Sequence, residues 1–366
     1  MPSTSVATEL TYSIALSLAK YIGPRSAIEL LEAVGSATAL FTDAELRARV
    51  LPRLPQRIAQ QLASSSLVEE ALYIEQKCIQ EGIRPLFFLC EDYPAALREI
   101  AVPPMVLYVR GAYDSWENRG HISIVGTRRA SEYGQKLTRQ IVKELAGMYP
   151  PLTIVSGLAY GVDIRAHEAA LAEGLPTVAV LAHGLDTLYP SAHRRIAEDI
   201  LRDGGAWVSE YPSGVKPYRQ AFVARNRIIA GLSAATIVVE AGERSGSLST
   251  ASYALESGRE VFACPGRLTD LLSIGCHKLI EEQRAHLYLG ATSLGRELGW
   301  DASADSSDAC TSGATRLEKQ LPASPMREYP PHPLLSLLAE QGTLSVDELA
   351  RLSGEDLMTV RTELFD

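Results

Sequence analysis

Residues 121–131, HISIVGTRRAS, indicate the fold class, because a short apolar run ends there at a glycine and polar residues follow. Similar runs recur along the chain, with helical stretches such as Gln135–Gly147 and Ile164–Gly174 between them. β-branched runs that alternate with helices predict a mainly parallel sheet with helices on both faces. The predicted strands are Ile122–Val125, Thr153–Val155, Thr177–Leu181, Ala206–Ser209, Thr236–Val239 and Glu260–Ala263.

The flanking segments differ from this α/β, Rossmann-like core, which we place at residues 85–295. Residues 1–84 are predicted to form a small helical domain, either a helix-hairpin-helix (SAM-like) unit around the glycine turn at 21–26 or a plain supporting helix pair. Residues 296–331, rich in Ser, Asp, Ala and Pro, are predicted to be a linker. Residues 332–366 are predicted to form a short winged-helix-like helical domain, with helices at Leu334–Ala339, Ser345–Leu352 and Asp356–Leu364. The chain stops before a wing, which indicates a truncated or a degenerate version of that domain.

The net charge of −9 argues against a uniformly basic surface, but the acidity is unevenly distributed. Residues 1–119 carry 11 Lys/Arg against 14 Asp/Glu, a balance of −3, and residues 291–366 carry 6 against 13, a balance of −7. Residues 120–290 carry 18 against 17, a balance of +1. The middle of the chain therefore has room for a local basic groove.

Several classes of protein are excluded by cysteine usage and hydropathy. The 5 cysteines contain no C-x-x-C pair, so we predict no disulfide framework, no metal site and no cofactor. No window approaches 18 consecutive apolar residues, and the first residues lack the pattern of a signal peptide. We therefore expect a cytoplasmic protein that does not enter a membrane.

Polar, glycine-containing loops follow the predicted strands, and in a parallel sheet such loops gather at the carboxyl edge, where ligands bind. A glycine turn that opens a helix directs backbone amides at an anion. The loop at 183–190 is expected to wall the same cleft, and Asp163 is interpreted as a helix N-cap. The predicted phosphate-binding residues of these loops are Gly126, Thr127, Arg128, Ser156, Gly157, Gly246 and Ser247.

The run Arg225-Asn226-Arg227 completes the predicted site. A helical wheel places Arg225 on the buried stripe and turns Asn226 and Arg227 sideways and outward. A buried arginine needs an anionic partner, which is either a bound phosphate or an internal carboxylate such as Glu210 or Glu240. The sequence contains no H-E-x-x-H, no G-x-S-x-G and no P-loop motif, so we predict binding without catalysis.

Together these segments resemble the DNA-processing protein A family, also called DprA or Smf, over about residues 93–288. The resemblance rests on ordered motifs, which are IVGTR at 124–128, SGLAYGVD at 156–163, GLD at 184–186, RNRIIAGLS at 225–233, SGSL at 245–248 and REVFA at 259–263. Two positions depart from the family pattern, since Thr127 replaces the usual Ser and His277 stands where Asn is common.

The resemblance implies a bacterial cytosolic protein that binds and protects incoming single-stranded DNA and loads the RecA recombinase during natural transformation. It also implies a homodimer. Two alternatives remain, of which one is an interaction scaffold for protein partners. The other is a phosphoribohydrolase of the lysine-decarboxylase-like group, although Ser249 and Thr250 stand where those enzymes carry an acidic pair.

Overall fold

The structure is a computed structural model that describes residues 7–50, 56–111, 120–300 and 346–353. The chain divides into two compact units, Met1–Ala302 and Ser303–Asp366. The first unit contains all nine strands and nearly all the helices of the described residues. The domain boundaries at residues 84, 295 and 331 stay predictions.

A nine-stranded sheet forms the centre of the first unit, in the order β1-β2-β6-β5-β4-β3-β7-β8-β9. β1 pairs with β2, and β2 with β6, in antiparallel fashion, while the other strands run parallel. The α/β, mainly parallel fold predicted from the sequence is thus confirmed. The strands are β1 (Ile83–Phe87), β2 (Val106–Gly111), β3 (Gly120–Val125), β4 (Leu152–Ser156), β5 (Thr177–Leu181), β6 (Ala206–Ser209), β7 (Ala235–Val238), β8 (Glu260–Ala263) and β9 (His286–Leu287).

All six predicted strands are present, three of them with the predicted bounds and three shifted by one or two residues at an end. The side chains of β3, β4, β7 and β8 alternate between two apolar clusters. Ile122 and Ile124 of β3 belong to one cluster and Val125 to the other, which places a hydrophobic layer on each face of the sheet. A strand buried on both faces reads as a continuous apolar run, as predicted.

Helices cover both faces and form the N-terminal region. The predicted helices at 135–147 and 164–174 are confirmed as α8 and α9, each with slightly different bounds. The helices of the first unit are α1 (Glu9–Leu18), α2 (Pro24–Val34), α3 (Ala37–Thr42), α4 (Ala44–Val50), α5 (Gln56–Leu62), α6 (Ser65–Glu81), α7 (Ala95–Arg98), α8 (Glu132–Met148), α9 (Val162–Ala172), α10 (Arg194–Arg202), α11 (Arg219–Gly231), α12 (Ser247–Glu256), α13 (Ile274–Glu281) and α14 (Ala291–Glu297).

The N-terminal helices share their apolar core with the sheet. Ile14 of α1, Ile74 of α6 and Leu86 of β1 are buried in the same cluster as Val180 of β5. The glycine turn predicted between the first two helices is present, with Gly23 as the N-cap of α2 and Pro24 at its first position. The helical character of this region is confirmed, and the choice between a helix-hairpin-helix unit and a supporting helix pair stays open.

In the second unit the structure describes one helix, α15 (Val346–Ser353). It agrees with the helix predicted at 345–352. The other two predicted helices of the winged-helix-like domain and most of the predicted linker lie outside the described residues.

Two properties of the described residues limit what they bind or enter. None of their helices is long and apolar enough to cross a bilayer. Nor do their His, Cys, Asp and Glu side chains form a group of three or more that would hold a metal ion.

Candidate functional site

The strand order reverses direction at β3, which lies between β4 and β7. At such a switch point the loops after neighbouring strands diverge to opposite faces and leave a crevice at the carboxyl edge. A cleft of about 810 Å³ lies there. Of the ten predicted site residues, seven line it, namely Gly126, Thr127, Arg128, Arg225, Asn226, Gly246 and Ser247.

The loop after β3 is held in one conformation by its neighbours. The Thr127 amide donates to the Glu240 carbonyl at 2.7 Å, and the Thr127 carbonyl accepts from the Val162 amide at 3.2 Å. A side chain on Gly126 would approach Val162 to 2.5 Å, so only glycine fits. Arg128 is exposed and lies above the Phe222 ring, 5.4 Å from its centroid. The loop therefore presents a guanidinium at the cleft from a rigid base.

Ser156 and Gly157, predicted to contact the ligand, lie behind the cleft wall. Ser156 is fully buried, and its hydroxyl donates to the Ile124 carbonyl at 2.7 Å, which ties β4 to β3. The Gly157 carbonyl accepts a hydrogen bond from Arg225 at 2.9 Å. A side chain on Gly157 would come within 2.5 Å of the same guanidinium. Both residues shape the wall rather than face the open space.

Asp163 is not an N-cap, contrary to the prediction, because Gly161 caps α9 and Asp163 sits in its first turn. Its carboxylate accepts from the amide of Ala159 at 3.4 Å and from that of Gly157. Burial raises the pKa of Asp163, and the Arg225 charge opposes this shift. Gly161 caps the helix in its place, and only glycine fits there because its φ is +80° and a Cβ would clash with the Thr127 carbonyl oxygen.

Arg225 is buried, as predicted, with 3% of its surface exposed. Its guanidinium donates to the carbonyls of Gly157 and Val180, and its Nε donates to the Asn226 side chain at 3.2 Å. Burial lowers the pKa of Arg225 to about 10, and nearby Asp163 works against that decrease. Its hydrogen-bond acceptors are thus two backbone carbonyls and the Asn226 side chain, and neither Glu210 nor Glu240 is among them.

Arg227 does not face solvent, so the predicted outward direction is wrong. It is 9% exposed and forms a two-pronged ion pair with Glu210, with N–O distances of 2.6 and 2.7 Å. Its Nε donates to the Val102 carbonyl at 2.8 Å. The segment around residue 102 covers the side of α11 that the helical wheel left open, and Arg227 does not line the cleft.

The loop after β7 closes the opposite wall. Gly246 is exposed at the N-terminus of α12, and the Ser247 hydroxyl lies 2.8 Å from that of Ser245. The Asn226 amide donates to the Gly246 carbonyl at 3.3 Å and to the Ser249 hydroxyl at 2.9 Å. Asn226 thus joins α11 to this loop while lining the cleft.

Several cleft residues were not predicted, namely Tyr218, Arg219, Phe222 and Arg244. Phe222 stands three positions before Arg225, on the same side of α11, so a helical wheel extended toward the start of that helix identifies it, whereas Tyr218 is the N-cap and has extended backbone. The loop at 183–190 does wall the cleft, as predicted, through Tyr189. The Tyr189 and Phe222 rings lie 5.7 Å apart.

The cleft is strongly positive although the chain is acidic. Five arginines and one carboxylate, the buried Asp163, line it. Arg128, Arg129, Arg219 and Arg244 are exposed, and none of them forms an ion pair with a carboxylate of the described residues. A cleft that combines unpaired guanidinium groups with exposed aromatic rings is suited to a polyanion with flat, stackable groups.

Comparison with known proteins gives one family, described as DNA recombination-mediator protein A, which matches residues 84–299. The chain is 44% identical over 199 residues to DNA processing protein DprA of Streptococcus pneumoniae, covering 54% of this chain and 69% of that protein. It is 45% identical over 192 residues to Protein Smf of Escherichia coli, covering 52% of this chain and 50% of that protein. The chain thus aligns with between half and about two thirds of the length of these relatives.

Two solved structures are similar as well. The X-ray structure of DNA processing protein A from Streptococcus pneumoniae gives a TM-score of 0.62 at 33% identity, covering 78% of this chain and 97% of that one. The structure of DNA processing protein A from Helicobacter pylori, which has a single-stranded DNA binding mode, gives a TM-score of 0.53 at 32% identity. It covers 60% of this chain and 96% of that one. These similarities confirm the resemblance found in the sequence motifs.

Proposed function

Because the chain belongs to the DNA recombination-mediator protein A family, we propose that its cleft binds single-stranded DNA. The observation that carries the proposal is the group of four exposed, unpaired arginines around the Phe222 and Tyr189 rings. Guanidinium groups bind phosphates and aromatic rings stack on unpaired bases, so this combination fits a single strand. The relative from Helicobacter pylori binds the same class of ligand.

In this proposal phosphates provide most of the affinity. Arg128, Arg129, Arg219 and Arg244 contact the backbone of the strand, while Thr127 and Gly246 border the same path. Arg225 acts differently, because its Nη1 donates to the Gly157 and Val180 carbonyls, and we assign it to positioning the 157–163 loop. Asn226 positions the loop at Gly246 in the same way.

We expect the affinity for oligothymidylate to fall steeply with salt, by ~0.7 log unit per log unit of salt for each phosphate contacted. With all four exposed arginines engaged, the slope reaches about 3. Arg128→Ala should reduce the slope by ~0.7 without changing the melting temperature. Fluorescence anisotropy titrations at several salt concentrations measure the salt slopes of the parent and of the variant. A flat salt response of the parent contradicts the proposal.

Base stacking is expected at Phe222, whose ring is half-buried below Arg128 and beside Tyr189. Phe222→Ala should weaken binding by about 1–3 kcal/mol, the range for one base stacked on one aromatic ring. Phe222→Tyr keeps the ring and serves as the matched control, which should bind like the parent. Equal affinity of the alanine variant and the parent would show that bases stack elsewhere.

We propose that binding proceeds without a chemical step. The carboxylate that lines the cleft, Asp163, is held by the amides of Ala159 and Gly157 and lies next to Arg225, so it is poorly placed to act as a base. Ser249 and Thr250 occupy the positions where the phosphoribohydrolase alternative requires carboxylates. Incubation with nucleoside monophosphates tests this, because release of free base would revive that alternative.

The wider role follows from the family relationship and remains a proposal. We propose that the protein acts in the cytoplasm, protects incoming single strands, forms a homodimer and loads the RecA recombinase during natural transformation. Sedimentation analysis of the full chain measures the oligomeric state. A RecA strand-exchange assay on DNA covered by single-stranded DNA-binding protein measures loading, and a lack of stimulation argues against that part of the role.

A further inference from the structure

The aromatic side chain of Tyr160 lies next to the cleft and has no role in the proposed function. Tyr160 is 49% exposed, although Leu158 before it and Val162 after it are fully buried. Its neighbour Ala159 lines the cleft, so the exposed ring stands at the rim. An exposed tyrosine is common by itself. What distinguishes this one is the rigidity of its support.

The backbone around Tyr160 is fixed from three sides. Leu158 has a φ of +55°, a conformation that L residues rarely adopt, and its carbonyl accepts a hydrogen bond from Nδ1 of buried His193 at 2.8 Å. The carbonyl of Ala159 accepts from the Ile164 amide at 3.1 Å. The Tyr160 ring packs edge-on against the His193 ring, with 4.7 Å between centroids. The loop thus holds a flat ring in place before any ligand arrives.

This ring continues the aromatic series of the cleft. Tyr189, which contacts Phe222, is followed by Pro190 and the 3₁₀ turn Ser191–His193. That turn ends at His193, against which the Tyr160 ring packs. Tyr189 in the cleft wall and Tyr160 are therefore connected through one short segment of chain. Arg195 follows two residues later, is exposed, and pairs with no carboxylate of the described residues.

We propose that a strand longer than the cleft leaves it across Tyr160, whose ring stacks on a base, while Arg195 contacts a phosphate beyond. The inference rests on the proposed function, because it extends the path of the same single strand. It makes the bound length of DNA greater than the cleft alone accommodates. Tyr160 and Arg195 then serve affinity for long strands and have no effect on short ones.

A length series of fluorescein-labelled oligothymidylates, titrated against the full chain, tests the inference. For the parent, affinity should rise with length beyond the shortest oligonucleotide that binds. Tyr160→Ala should leave the shortest complex unchanged and weaken the longest about 5- to 150-fold, the equivalent of one base–aromatic stack. Tyr160→Phe keeps the ring and should match the parent at every length.

Arg195→Ala supplies an independent arm, since an exposed arginine can be removed without altering the fold. Its salt slope should fall by ~0.7 for the long oligonucleotide only. Unchanged affinity of Tyr160→Ala and Arg195→Ala for long strands overturns the inference, as does an equal loss for short and long strands. If the parent binds no oligonucleotide of any length, the proposed function itself fails, and this outcome is distinct from the other two.

Discussion

Replacing Arg227 with alanine is expected to lower the free energy of unfolding by about 3–5 kcal/mol, because the substitution leaves the Glu210 carboxylate without its partner in a nearly buried place. Both oxygens of Glu210 now accept from this guanidinium, at 2.6 and 2.7 Å. The same guanidinium also satisfies the carbonyls of Val102 and Ala224. Equilibrium denaturation in urea gives the free energy.

The pair Glu210→Leu with Arg227→Met is the matched control, because removing both charges together leaves neither one unpaired. Replacing a buried ion pair with apolar residues of similar size is often neutral. We therefore expect the double variant to be more stable than Arg227→Ala alone. A single variant within about 0.5 kcal/mol of the parent, the usual range for surface substitutions, would contradict the burial of this pair.

Arg225→Ala is expected to cause a loss of similar size, about 3–5 kcal/mol. It leaves the carbonyls of Gly157 and Val180 without a donor and removes the positive charge next to buried Asp163. Arg225→Lys keeps the charge but lacks the Nε group that donates to the Asn226 side chain, so its stability should be intermediate. Urea denaturation again provides the measurement.

Arg128→Ala distinguishes an effect on stability from an effect on binding. Like Arg225→Ala it removes one positive charge, but from the open side of the cleft. Arg128 is exposed and Arg225 is buried. We expect Arg128→Ala to keep the parent stability and to lose affinity for DNA, whereas Arg225→Ala loses stability first. If the Arg225 variant folds as stably as the parent and only binding is lost, Arg225 contacts the phosphate directly, which is one of the two alternatives that the sequence left open.

The strands and the position of the cleft could be predicted from the sequence because both depend on local patterns. A parallel strand buried on both faces must be continuously apolar, and the loops after such strands must meet at one edge. Arg225 was placed correctly for the same reason, since Ile228 and Ile229 mark the face of α11 that the sheet covers.

The direction of Arg227 could not be predicted because α11 has a second buried side. Gly231 of that helix lies so close to Ile100 that a Cβ would come within 2.7 Å of its side chain. The segment that makes this contact lies more than 100 residues earlier in the chain. A helical wheel contains no information about a partner so distant, and it assigns to solvent every position outside the first apolar stripe.

The N-terminal helices and the sheet share one apolar core, and this core couples the evolution of the two regions. Ile14 of α1 and Leu107 of β2 are both fully buried in one cluster. A change of side-chain volume at either position alters the packing of the other region, because packed interiors have few voids to absorb it. The N-terminal helices are therefore not an interchangeable module, and substitutions in them should persist through descent only together with compensating substitutions in the sheet.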